Sequence, residues 1–175
     1  MAERLPREER SYIAQGEQAI GTRDTQVIST ILGSCVALCL WDDVRRIGGM
    51  NHILIPDGHL GDVAILGAGA TSIERLINAL MRCGADRNRL QSKVFGGASI
   101  VAGLSDVGER NVVFVFNYLR TEGIPCRASS VGGTLARQIR FRPTDGMVKQ
   151  RLVRLDDAEE LRLQTPSFGQ ELELL

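Results

Sequence analysis

Between Glu17 and Pro56 the chain alternates short apolar, β-branched runs with turn residues. The runs EQAIGT, TQVIST, CVALCLW and IGGMNHILIP each read as a strand, so four extended segments precede any helix. The period then changes. ATSIERLINALMRCGA places Ile73, Leu76, Ile77 and Leu80 at the i, i+3, i+4, i+7 spacing of one buried helical face. Thr71 with Glu74 has the spacing of a capping box, and Gly84 suits the left-handed residue that ends a helix. QSKVF reads as a strand. ERNVVFVFNYLRTEG repeats the helical stripe through Val112, Val115, Phe116 and Leu119, and Gly123 stops it. IPCRAS reads as a further strand, and QIRFRPTDGMVKQRLVRL as a hairpin turning at Asp145-Gly146. From Asp156 the sequence turns polar and acidic, which predicts a peripheral tail. The class is mixed α and β.

Composition narrows what such a domain does. At 175 residues and 43% hydrophobic content the chain can bury a core without disulfides or metal. Twenty-one basic residues balance twenty-one acidic ones, so net charge offers no grip on a nucleic-acid backbone or an anionic membrane. No run reaches the roughly 18 apolar residues of a membrane span, and the N-terminus is charged, so a soluble cytoplasmic protein is expected. The four cysteines (Cys35, Cys39, Cys83 and Cys126) lack the dense spacing of a disulfide scaffold and are expected as free thiols.

The chemistry concentrates around Cys35. If CVALCLW and IGGMNHI pair across a four-residue loop from Asp42 to Arg45, Trp41 faces Arg46, Leu40 faces Ile47, and Cys35 falls opposite His52. A thiol needs a nearby imidazole to become a nucleophile at neutral pH, and His52 would take the Cys35 proton. A small core cysteine beside a satisfied histidine is the plainer alternative. Gly48-Gly49 marks where a bulge would turn the two side chains apart. A metal shared by Cys35, Cys39, His52 and His59 is disfavoured, because Cys35 and Cys39 would lie about 13 Å apart along a strand. The third group, orienting the imidazole, would be a hydroxyl. Ser29 shares strand parity with Cys35 if the chain is extended between them, and Thr30 is the alternative if Gly33 bends it; on parity, Ser29→Ala should slow catalysis more than Thr30→Ser. Backbone amides near Gly33 to Cys35 could hold an oxyanion.

In order, LGSCVALCLWD, RRIGGMNHILIP, KVFGGAS and VGGTLARQI resemble the chemoreceptor glutamine deamidases, the CheD family of bacterial and archaeal chemotaxis. The likeness runs from about Tyr12 to Leu155, which sets residues 1–11 apart as an extension and 156–175 as the tail. It implies a single-domain three-layer α/β sandwich with a mixed, largely antiparallel sheet and two main amphipathic helices. It also implies that Cys35 is the nucleophile, His52 its partner, and a hydroxyl just upstream, Ser29 or Thr30, the third catalytic group. The implied reaction converts receptor glutamine to glutamate on cytoplasmic helices through a thioester, without cofactor or metal, with receptor methyl-ester hydrolysis as an added activity and a CheC-type phosphatase as a partner. Where relatives carry an acidic residue before the second Gly-Gly, this chain has Ser129-Ser130-Val131, so Gly132, Gly133 and Arg137 are given a structural role. A non-catalytic adaptor for receptors or CheC is the rival reading.

Overall fold

The computed structural model describes the backbone of residues 7–55, 63–100, 105–154 and 156–158, and their side chains except those of 64–66 and 105. The elements run β1 (Glu9–Tyr12), β2 (Gln18–Gly21), β3 (Gln26–Leu32), β4 (Val36–Asp42), β5 (Ile47–Ile53), α1 (Val63–Arg82), β6 (Gln91–Gly96), α2 (Ser105–Thr121), β7 (Cys126–Val131), β8 (Ala136–Arg142) and β9 (Met147–Val153). The strands form two sheets, ordered β1-β3-β8-β9 and β2-β5-β4-β6-β7. β1 with β3 and β6 with β7 are parallel pairs, and the other pairs are antiparallel.

Alternation along β4 explains the layering. Its even-numbered residues Val36, Leu38 and Leu40 pack with Ile73, Leu76, Ile77 and Leu80 of α1 and Val115 and Leu119 of α2. Its odd-numbered residues Ala37, Cys39 and Trp41 pack with Ile28 and Leu32 of β3 and Ile139 and Phe141 of β8. All seven residues of β4 are therefore buried, as expected for a strand covered on both faces. The result is the expected three-layer sandwich, with helices on one face of the five-stranded sheet and the four-stranded sheet on the other.

Several local expectations are corrected. α1 begins at Val63, so Thr71 is interior to the helix and donates to the Gly67 carbonyl at 2.8 Å instead of capping. The helix runs through Gly67 and Gly69, and a Cβ on Gly69 would lie 2.7 Å from the Phe114 ring, so that glycine serves helix packing. Gly84 does end the helix, with φ +104. β1 straddles the boundary expected between residues 11 and 12; its charged sequence gives no apolar alternation to read. The closing hairpin turns through the four residues Pro143 to Gly146, with Arg142 paired to Met147. Gly146 is required there twice over: its φ is +72, and a Cβ would sit 2.2 Å from the Trp41 indole.

Candidate active site

The β4–β5 hairpin decides where His52 stands. Its loop is Asp43 to Arg46, one residue later than expected, so Asp42 pairs with Ile47 and Ala37, not Cys35, lies opposite His52. The cause is the Asp42 side chain, which accepts from the Val44 and Arg45 amides at 3.0 and 3.2 Å, while Arg46 closes the turn at φ 56. A shift of two in pairing keeps parity. His52 therefore stays on the face of β5 that looks into the space between the sheets, two positions diagonal from Cys35.

Cys35 is partly exposed and stands just before β4, at the end of a bend through Gly33 and Ser34. Three successive carbonyls of this bend are held by the scaffold: Gly33 by the Ala98 amide (2.9 Å), Ser34 by Asn111 Nδ2 (2.9 Å) and Cys35 by the Gly97 amide (2.8 Å). A trans peptide points each carbonyl and the following N–H in opposite directions, and none of the described peptides is cis. The N–H groups of Ser34 and Cys35 thus point away from the groups that hold the bend. Gly96 lets β6 come this close, since a Cβ there would lie 2.2 Å from the Cys35 carbonyl.

His52 is almost fully buried, and its Nδ1 lies 2.8 Å from Thr30 Oγ1. The same hydroxyl donates to the Ile13 carbonyl at 2.7 Å. A carbonyl can only accept and the hydroxyl has one proton, so Thr30 accepts from His52 Nδ1–H. In the neutral imidazole this puts the ring hydrogen on Nδ1 and the lone pair on Nε2, the tautomer a general base needs. The backbone of His52 is clamped as well: its N–H donates to Glu17 O (3.0 Å) and its carbonyl accepts from Gly16 N (2.9 Å).

Of the two upstream hydroxyls, the structure joins Thr30 to His52 and not Ser29. Ser29 lies on the opposite face of β3 and donates to the Ser11 carbonyl at 3.3 Å. The parity argument assumed an extended chain to Cys35, and the bend from Gly33 to Cys35 breaks it. Cys39 is fully buried in the inter-sheet core, where burial pushes its thiol pKa far up against the opposing pull of Lys93. Among the described residues no three His, Cys, Asp or Glu converge as a metal site; His59 lies outside the described residues. Arg137 is buried and donates to Ser130 Oγ and the Leu135 carbonyl, and desolvation lowers its pKa. The loop it steadies bonds back through Gly132 N to Gly96 O and Gly133 O to Ser99 N.

Two residues went unread in the sequence. Asn111, fully buried on α2, donates from Nδ2 to the Ser34 carbonyl, and its Oδ1 accepts from Ile55 N at 2.9 Å. It ties the Cys35 bend to the chain just past His52. Its signal was present, for Asn111, Val115 and Leu119 share one helical face and the first of them is polar. Gln15 is the other: the Cys35 thiol donates to its Oε1 at 3.8 Å.

Comparison with known proteins places the chain in a family. A family model described as CheD chemotactic sensory transduction matches residues 67–152. The curated relative from Caulobacter vibrioides (strain NA1000 / CB15N), named "Probable chemoreceptor glutamine deamidase CheD", is 46% identical over 158 residues, covering 89% of this chain and 84% of its own. Proteins of the same name from Cereibacter sphaeroides (42% over 147 residues; 84% and 74% of the two chains) and Agrobacterium fabrum (46% over 146 residues; 81% and 78%) are also similar. With this much identity over most of both lengths, the chain belongs to the CheD family.

Proposed function

We propose that this protein deamidates glutamine side chains of chemoreceptors, with Cys35 as nucleophile, His52 as base and then acid, and Thr30 orienting the imidazole. The observation that supports the reading is the Thr30 hydroxyl, whose one proton is committed to Ile13, so that neutral His52 carries its hydrogen on Nδ1 and presents Nε2 as the base. Nε2 takes the Cys35 proton, the thiolate adds to the amide carbon, and the carbonyl π pair moves onto oxygen. Collapse of that oxyanion expels ammonia, protonated by His52, and leaves a thioester. Water, deprotonated by the same imidazole, hydrolyses the thioester to glutamate and free thiol. Every proton is accounted for within Cys35, His52, substrate and water, so no cofactor enters. Receptor methyl esters are open to the same acyl chemistry, and the reading places the protein in the cytoplasm, where receptor signalling helices lie. A CheC-type phosphatase is the second partner this reading expects.

Mass spectrometry of a receptor cytoplasmic domain incubated with the protein tests activity and substrate together. Each target glutamine should gain the mass of an NH2-to-OH exchange, and Cys35→Ala should abolish the gain while the fold survives. A folded Cys35→Ala protein with ordinary turnover would overturn the nucleophile. Receptor binding without any mass gain in the wild type would favour the adaptor.

A further inference from the structure

The carboxamide of Gln15 touches the nucleophile, and nothing in the mechanism above uses it. The Cys35 thiol donates to Gln15 Oε1 at 3.8 Å. Although the Gln15 side chain is exposed, its backbone is pinned at both ends. Ile13, fully buried, donates to Ser29 O (2.9 Å) and accepts from Thr30 Oγ1. Gly16 N and Glu17 O bond the carbonyl and amide of His52. The turn between them closes with Glu17 N on Ala14 O (3.0 Å) and Ala14 N on Glu17 Oε2 (2.7 Å). One short segment therefore holds Thr30, clamps His52 and delivers Gln15 to Cys35.

We propose that Gln15 is a catalytic residue whose Nε2 binds the oxyanion formed when Cys35 adds to the substrate amide. The inference rests on Cys35 being the nucleophile. The oxyanion is two bonds from Sγ, so a substrate oxygen turned towards the Gln15 carboxamide, 3.8 Å from Sγ, comes within its hydrogen-bonding reach. The last side-chain torsion of glutamine is broad and roughly two-fold, so Oε1 and Nε2 exchange places without moving the backbone. In the resting enzyme the thiol is a donor and selects Oε1. Once its proton is on His52 and the substrate oxygen is negative, an acceptor stands there and selects Nε2. The interaction is thus strongest in the transition state, where it accelerates the reaction. Water attack on the thioester regenerates an oxyanion on the same carbon, so Gln15 acts in both half-reactions.

The test compares the full-length wild type with Gln15→Ala and Gln15→Glu, on a receptor cytoplasmic domain as substrate. Loss of one oxyanion donor should lower kcat by about 10²- to 10³-fold with KM little changed. A peptide carrying glutamate semialdehyde, which adds to Cys35 as a hemithioacetal, should lose affinity by a similar factor. In Gln15→Ala, alkylation of Cys35 by iodoacetamide, a displacement with no oxyanion, should keep its wild-type rate, whereas the carboxylate of Gln15→Glu beside the thiol should slow it. Both variants alter an exposed turn residue, and the near-ultraviolet signal of Trp41 checks their fold. A kcat at or above wild type in the variants would overturn the proposal, and so would an alkylation rate of Gln15→Ala that falls in step with its kcat. A wild type that neither deamidates the receptor nor alkylates faster than an ordinary thiol would remove the nucleophile, and this inference with it. Active wild type with equally active variants removes this inference alone.

Discussion

At the scale of single residues, the Thr30 hydroxyl does two things at once: it satisfies the buried Ile13 carbonyl and it sets the proton on His52. Thr30→Val keeps the shape and removes both. The buried Ile13 carbonyl and His52 Nδ1–H then lose that partner, which should cost about 1 to 3 kcal/mol of stability for each, about 2 to 6 in all. The imidazole also loses its orienting bond, and at about 0.5 to 1.5 kcal/mol this should reduce kcat roughly 2- to 13-fold. Thr30→Ser restores the hydroxyl and should recover most of the rate. Ser29→Ala removes a single long hydrogen bond on the other face of β3 and should leave kcat unchanged, with stability within about 0.5 kcal/mol. Steady-state kinetics on the three variants, each checked by urea unfolding, measure both effects. If Ser29→Ala proves the slow one, Thr30 does not orient the base.

At the scale of elements, the apolar stripes of α1 and α2 and the strands β3 to β6 were legible because each follows one period over enough residues. What escaped had no local signal or a misleading one. β1 is a charged edge strand steadied by Arg23–Glu9 and Arg140–Glu8 contacts with distant parts of the chain. The first turns of α1 contain glycines that read as loop, of which Gly69 is explained by the Phe114 ring on α2 and Gly67 by no contact. The hairpin register slipped by two because the Asp42 side chain, not the sequence length, sets where the strand stops. Cys35 and His52 are not directly opposed after that slip, though parity keeps His52 on the inter-sheet face, and the parity that linked Ser29 to Cys35 is broken at the bend. Asn111 is where elements meet the site, since one carboxamide joins α2, the Cys35 bend and the end of β5. Asn111→Ala leaves two backbone groups without that partner and should destabilise by about 2 to 6 kcal/mol, at about 1 to 3 for each. It should also lower kcat, on the order of tenfold or more, because a small displacement of the nucleophile is costly. Urea midpoints and kcat below the unfolding transition would show both, and an unchanged kcat in the folded variant would confine Asn111 to stability.

At the scale of the whole molecule, Cys35, the proposed nucleophile, stands just before β4 and the buried carboxylate of Asp42 ends that strand, roughly 20 Å away. The separation lets fold stability and chemistry be varied apart. Asp42 has a fully buried side chain. Burial pushes its carboxyl pKa up, but Arg89 and the amides of Asp86, Arg45 and Val44 together outweigh that and hold it down at about 2. These contacts bind the β4–β5 turn to the connection between α1 and β6. An unfolded aspartate titrates near 3.9, so on acidification the unfolded chain takes up this proton first. The contribution of Asp42 is therefore present in full above about pH 4 to 5 and is lost as the pH falls through about 2. With 1.36 kcal/mol for each pKa unit, the shift of nearly two units is worth about 2 to 3 kcal/mol at neutral pH. Asp42→Asn retains an oxygen for the turn amides and gives up the charge facing Arg89. It should be less stable than wild type by about that amount at pH 7, with the gap narrowing steadily from pH 5 towards pH 2, while kcat of the folded protein stays unchanged. Urea midpoints of the two proteins across that range test it: a gap that stays constant with pH would show that Asp42 contributes through packing, and a fall in kcat would show that the two ends of β4 are coupled.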